Sequence, residues 1–113
     1  MILRRNYAFD IMPGGLPLLI RASKKDTSSR LIFSLFTGKG TLSIPSNTTA
    51  AFRGKGVNTS ASFSIVNGIP TVTVDLTIAM TSKVGIIPFE IVLLSSGFSL
   101  VTATLYLDVR NVK

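Results

Sequence analysis

Thr71-Val72-Thr73-Val74-Asp75-Leu76 sets Val72, Val74 and Leu76 on one side of an extended chain and Thr71, Thr73 and Asp75 on the other. That period of two belongs to a half-buried β-strand. It recurs. Phe89, Ile91 and Leu93 alternate with Glu90, Val92 and Leu94, and Val101, Ala103, Leu105, Leu107 and Val109 alternate with Thr102, Thr104, Tyr106 and Asp108. With Ser95-Ser96-Gly97 between them, these two stretches predict an antiparallel pair. Leu31-Ile32-Phe33-Ser34-Leu35-Phe36 is apolar on both faces apart from Ser34, which predicts a strand covered on both sides. Asn67-Gly68 is the strongest hairpin signal, joining Ala61–Val66 to a strand that begins near Pro70. Gly38-Lys39-Gly40 and Arg53-Gly54-Lys55-Gly56 mark further turns. No window of a dozen residues carries the three-and-four spacing of a helix without a Pro, a Gly or a β-branched run. The pattern predicts an all-β fold, an antiparallel β-sandwich of immunoglobulin-like or jelly-roll-like type. Residues 1–19, broken by Pro13-Gly14-Gly15 and Pro17, read as an extended N-terminal arm or a first edge strand, and residues 20–113 as the sandwich domain.

The 113 residues suffice for one domain. They are 46% hydrophobic and 15% charged, with a mean hydropathy of +0.50. A small sandwich cannot hide that much apolar surface, so patches left outside predict association with other subunits, a homo-oligomer such as a trimer among them. No apolar stretch reaches the roughly 18 residues that a membrane-spanning helix needs, since Asp10, Pro13, Pro17, Pro88 and Glu90 interrupt the longest ones. Asp10, Pro13 and Gly14-Gly15 likewise break what would have to be the apolar part of a signal peptide behind Arg4 and Arg5, so no export signal is read and folding in a reducing cytoplasm is expected.

Histidine and cysteine are both absent, which removes the commonest general base, the commonest transition-metal ligand and the thiolate nucleophile. The five acidic residues lie far apart, and Asp75, Glu90 and Asp108 fall at outward positions or strand ends, where solvated carboxylates belong. The two Gly-Lys-Gly stretches lack the spacing of a phosphate-binding loop and read as turns. Asn47-Thr48-Thr49 and Asn58-Thr59-Ser60 are glycosylation sequons, given no weight without an export signal. No enzyme activity, cofactor, metal or small-molecule substrate is expected.

Charge is the remaining signal. The net charge is +7, and residues 1–55 hold nine of the twelve Lys and Arg with two acids, Asp10 and Asp26. Such a one-sided field suits an acidic protein partner or nucleic acid. Arg4, Arg5, Arg21, Lys24, Lys25, Arg30, Arg53 and Lys55, with Tyr7, Phe9 or Phe52 as stacking faces, would make the track of a nucleic-acid-binding β-barrel. Two features weigh against that reading: the aromatics fall on apolar faces, and the basic residues gather in loops. Arg4, Arg5, Tyr7, Phe9, Arg21, Lys24 and Lys25 are therefore read as partner-binding residues. A sugar-binding sandwich would call for exposed aromatics, and the chain has no tryptophan and two tyrosines.

From about Arg21 onward the order of features resembles the N-terminal domain of the phage baseplate upper protein family, a β-sandwich module of tail, baseplate and head-fibre proteins. The residues that carry the likeness begin with Arg21-Ala22-Ser23-Lys24-Lys25-Asp26-Thr27 leading into Leu31-Ile32-Phe33-Ser34-Leu35, then Ala50-Ala51-Phe52-Arg53-Gly54. They continue with Val72-Thr73-Val74-Asp75-Leu76, the corner Met80-Thr81-Ser82-Lys83-Val84-Gly85, Pro88-Phe89-Glu90-Ile91-Val92-Leu93 and Thr104-Leu105-Tyr106-Leu107-Asp108-Val109. At the corner, Met80 and Val84 are expected to plug the end of the sandwich while Gly85 turns the chain. The resemblance implies a bacteriophage virion structural protein with no catalytic residues, docked on other virion proteins. Because family members run on into a fibre where this chain stops, it favours a capsid decoration or head-fibre base over a baseplate component that bears its own fibre.

Overall fold

In a computed structural model, residues 3–11, 18–37, 44–54, 56–102 and 104–111 are described. Nine strands follow in order: β1 (Leu3–Asp10), β2 (Leu19–Ser23), β3 (Ser29–Phe36), β4 (Thr49–Gly54), β5 (Val57–Val66), β6 (Ile69–Asp75), β7 (Gly85–Ser95), β8 (Phe98–Val101) and β9 (Leu105–Arg110). They form one mixed sheet in the order β1-β3-β6-β5-β4-β7-β9-β2, with β8 beside β7. The sheet curls into a half-barrel, sandwich-like as the alternation predicts.

Two long strands make the curl. In β5, Val57–Ala61 pairs with β4 and Ser62–Val66 with β6. In β7, Gly85–Phe89 pairs with β9 and Glu90–Leu94 with β4. A strand that changes partners halfway turns a corner from one wall of the barrel to the next. At the second corner Gly54 lies against β7 so closely that an added Cβ would come within 2.4 Å of the Pro88 carbonyl oxygen. Only glycine permits that approach.

Inside the curl the alternating residues interlock. Leu31, Phe33 and Leu35 of β3, Val72 and Val74 of β6, Ile91 and Leu93 of β7, and Leu105, Leu107 and Val109 of β9 are buried. A run of rings crosses the interior, Tyr7 to Phe33 at 5.9 Å, Phe33 to Phe52 at 6.2 Å and Phe52 to Phe89 at 4.7 Å between centroids. Such spacings lie in the range for favourable ring contacts.

Asn67 and Gly68 both take positive φ (52° and 79°) in the two-residue turn between Val66 and Ile69, as the dipeptide predicts. Ser96-Gly97 closes the β7–β8 hairpin with a two-residue turn as well, here with positive φ at Gly97 (75°) and not at Ser96. The long strand expected from Val101 to Val109 breaks instead into β8 and β9. At the break Thr102 stands opposite Ile91, its hydroxyl accepting from the Ile91 amide at 3.0 Å and its own amide donating to the Ile91 carbonyl.

Three further expectations need correction. Pairing is not wholly antiparallel: β1 runs parallel to β3, and β2 parallel to β9. Parallel neighbours need a crossover, and here β2 supplies one by crossing to the far edge of the sheet between β1 and β3. A single helical turn, α1 (Ile78–Thr81), caps one end of the barrel, with Thr77 accepting from the Met80 amide. It is too short to show helical periodicity. Met80 plugs the interior as expected, but Val84 points outward and is half exposed. Gly38-Lys39-Gly40, Lys55 and Pro13–Pro17 lie outside the described residues.

Candidate functional site

The half-barrel leaves two strand edges facing each other, that of β1 and that of β2. One side chain spans them. Arg5 projects from the inner side of β1 and donates through Nη1 to the Arg21 carbonyl oxygen of β2 at 2.6 Å. Its guanidinium carbon also lies 5.7 Å from the centroid of the Tyr7 ring, which in turn stacks on Phe33. A core ring thus props the arginine at the seam.

Around that contact lies a cleft of about 300 Å³ lined by Leu3, Arg5, Arg21, Ser23, Ser29, Asp26 and Arg110, among others. Lys24 and Lys25 form the turn at the end of β2, with Lys25 in the left-handed region (φ 64°) and its amide bonded to the Thr81 carbonyl. Five cations therefore meet two carboxylates, Asp26 and Asp108. Asp108 pairs with one of the five, Arg110, and Asp26 is held by neutral donors. Asp26 accepts from the Ser28 amide (2.8 Å), the Ser28 hydroxyl (3.1 Å) and the Ser29 hydroxyl (2.8 Å). Burial acts to raise its pKa, but these hydrogen bonds outweigh it and hold the carboxyl below its usual range. Asp108 takes Arg110 Nη2 at 2.9 Å and is buried on the outer side of β9, not solvated as its outward position predicts. Neighbours cover it there: Ile86 and Arg21 flank it in register.

The predicted partner-binding residues divide. Arg5, Tyr7 and Arg21 converge at the seam, and Lys24 and Lys25 flank it. Arg4 lies on the opposite face of β1, where with Arg30, Ser62, Thr73 and Asp75 it lines a separate open groove of about 470 Å³. Phe9 is buried in the core beside Phe33, 1% exposed, so its ring offers no surface to a partner. Phe52 is equally buried. The two phenylalanines cannot serve as a base-stacking platform. Sequence reasoning missed Arg110, which lies 86 positions beyond Lys24 and reaches the seam only through the parallel pairing of β2 with β9.

Apolar surface adjoins this edge. Leu19 is 52% and Ile86 64% exposed on the outer side of the β2-β9-β7 wall, with Tyr106 half-buried between Leu19 and Pro88 in register. A second apolar group, Ile65, Val66 and Ile69, lies at the tip of the β5–β6 hairpin. Among the described residues there is no cluster of three or more potential metal-binding side chains, and no helix is long and apolar enough to cross a membrane.

This architecture has a solved counterpart. The fold is similar to that of the N-terminal domain of phage TP901-1 ORF48. The two superpose with a TM-score of 0.74 over 97% of this chain and 100% of that one, at 12% sequence identity. At that identity the likeness establishes a shared fold. No protein-family model and no curated protein matches the sequence.

Proposed function

We propose that the chain is a non-catalytic docking module of a bacteriophage virion, acting as a capsid decoration, head-fibre base or tail and baseplate component. The end-to-end agreement of its fold with a domain of a phage protein carries this reading. The seam supports it. A protein partner would meet a basic cleft with an apolar flank at Leu19 and Ile86, the arrangement of an apolar centre with a polar rim that interfaces use. The exposed hairpin tip offers a second contact, to another copy of the chain or to a neighbouring virion protein.

Immunogold labelling of purified particles tests the reading and locates the site of docking, whether on capsid, neck, tail or baseplate. Labelled particles that keep the chain through a high-salt wash are the expected outcome. A chain found only in the soluble part of the lysate, and retaining DNA on a filter with an affinity that falls steeply with salt, would transfer the basic surface to nucleic acid.

A further inference from the structure

We propose that the gap between β1 and β2 receives an extended acidic segment of a partner protein as an added strand, an inference that rests on the docking reading above. The backbone gives the first reason. In a parallel ladder, successive residues direct their amide and carbonyl alternately to one side and the other. Leu3 donates to the Ser28 carbonyl and Ile11 to the Phe36 carbonyl, so the odd residues of β1 bond to β3. Arg4, Asn6 and Ala8 therefore direct their backbone groups toward the gap. On β2 the anchors are the Tyr106 amide donating to the Leu18 carbonyl and the Lys24 amide donating to the Arg110 carbonyl. Leu19, Arg21 and Ser23 then face the gap from the other side.

Two edges with free donors and acceptors are a template for another strand. Here a side chain, not a backbone ladder, joins them, through the Arg5 contact to the Arg21 carbonyl. An incoming carboxylate would displace that neutral acceptor. The Arg5 bond to a carbonyl has one charged partner, whereas a carboxylate adds the opposite charge and can accept two parallel bonds from the guanidinium, so the exchange favours the guest. Arg5, Arg21 and Arg110 line the same cleft, Lys24 and Lys25 follow in the turn at the end of β2, and together they make an acidic sequence the complementary one. A peptide suits the gap better than nucleic acid because edge backbone groups at strand spacing match another backbone, while Phe9 is buried and Tyr7 already stacks on Phe33.

The test uses the full chain and three octapeptides at low salt: alternating Glu and Thr, alternating Lys and Thr, and the acidic peptide with two central prolines. Amide hydrogen exchange and titration are read by NMR. The acidic peptide is expected to slow exchange at Arg4, Asn6 and Ala8 at least tenfold, while the other two bind weakly or not at all. Arg21→Glu should weaken the acidic peptide about tenfold or more, and the milder Arg21→Ser, which adds no charge beside Asp108, several-fold. Equal binding of the proline peptide would overturn strand addition, as would protection confined to other strands or tighter binding of single-stranded DNA of equal charge. Failure here and failure of the virion reading can be told apart. Particles that incorporate Arg21→Glu normally would refute the seam as the docking point, whereas absence of the wild-type chain from particles would refute the virion reading itself.

Discussion

The centre and the rim of this sheet are built differently. In the centre, β6 with β5 and β7 with β8 are hairpin neighbours closed by two-residue turns, and along β7 the buried residues Ile87, Phe89, Ile91 and Leu93 alternate. At the rim, β1 and β2 are short or half-exposed strands in parallel pairing, each with a backbone ladder along one edge among the described residues, and they carry Arg4, Arg5 and Arg21. In the centre the β5–β6 and β7–β8 pairs are specified by local sequence, while β3–β6 and β4–β7 join segments far apart in the chain. The rim depends on pairing between segments far apart in the chain, β2 with β9 above all. Arg5 and Arg21, the groups proposed to bind a partner, thus sit on strands paired along one edge, while Phe9 and Ile20 of the same strands belong to the core.

Removing the rim is the strongest challenge to this division. Deletion of residues 2–19 is expected to abolish cooperative unfolding, because it removes the whole of β1 with the core ring of Phe9, and Ile11 just beyond that strand. Each buried Phe or Ile truncation costs about 2–5 kcal/mol against a total stability of about 5–15 kcal/mol. Circular dichroism during thermal unfolding decides it. A sharp transition in the deletion variant would make the segment a detachable arm, which the burial of Phe9 contradicts. Next in size is Phe52→Ala at the centre, which removes the ring between Phe33 and Phe89 and should cost about 3–5 kcal/mol in urea titrations. Tyr7→Ala, at the rim, should cost less while freeing Arg5 from its aromatic support. If the two losses were equal, centre and rim would not differ in the way described. Gly54→Ala follows, at about 1–3 kcal/mol, because its methyl group would press on the Pro88 carbonyl and the Phe89 ring, which are backbone and core and have nowhere to move.

The same division governs what the sequence disclosed. Alternation at residues 71–76 and 89–94, and the Asn67-Gly68 turn, are local signals, and the strands and hairpin they predict are present. The parallel pairs were hidden because nothing in the residues of β1 marks β3 as its neighbour, and α1 was hidden because four residues cannot display a period of 3.6. At the candidate site, Arg5, Tyr7 and Arg21 were legible as a basic and aromatic group near the N terminus. Their separation from Arg4 follows from the pleat, since adjacent residues of a strand face opposite sides. Phe9 obeys the same rule: it shares a face with Tyr7 but lies two residues deeper, beneath the curl. Arg110 enters the cleft through a long-range ladder that no local pattern announces.

The smallest expected effect concerns the ion pairs that stitch the outer faces of the central strands. Arg30 donates to Asp75 across β3 and β6 at 2.7 Å, and Arg53 to Glu90 across β4 and β7 at 2.9 Å. The Arg30 hydrogen bond, aided by its charge, lowers the Asp75 pKa despite partial burial, and the donors around Asp26 lower that one too. A carboxyl group whose folded pKa lies below its unfolded value adds stability that is complete above the unfolded value, about pH 4, and disappears as pH falls through the folded one. The urea midpoint should therefore hold level from pH 7 to about 5 and decline below about pH 4. Asp75→Asn should lower the midpoint slightly at neutral pH, in keeping with the small worth of exposed pairs, and flatten the acid decline. Asp26→Asn should flatten it as well, and it acts beside the seam, because its carboxylate orders the turn that follows Lys24 and Lys25. A decline unchanged in both variants would place the acid sensitivity elsewhere. Loss of the octapeptide response in Asp26→Asn but not in Asp75→Asn would tie that turn to the rim's binding function and leave the central pair to stability alone.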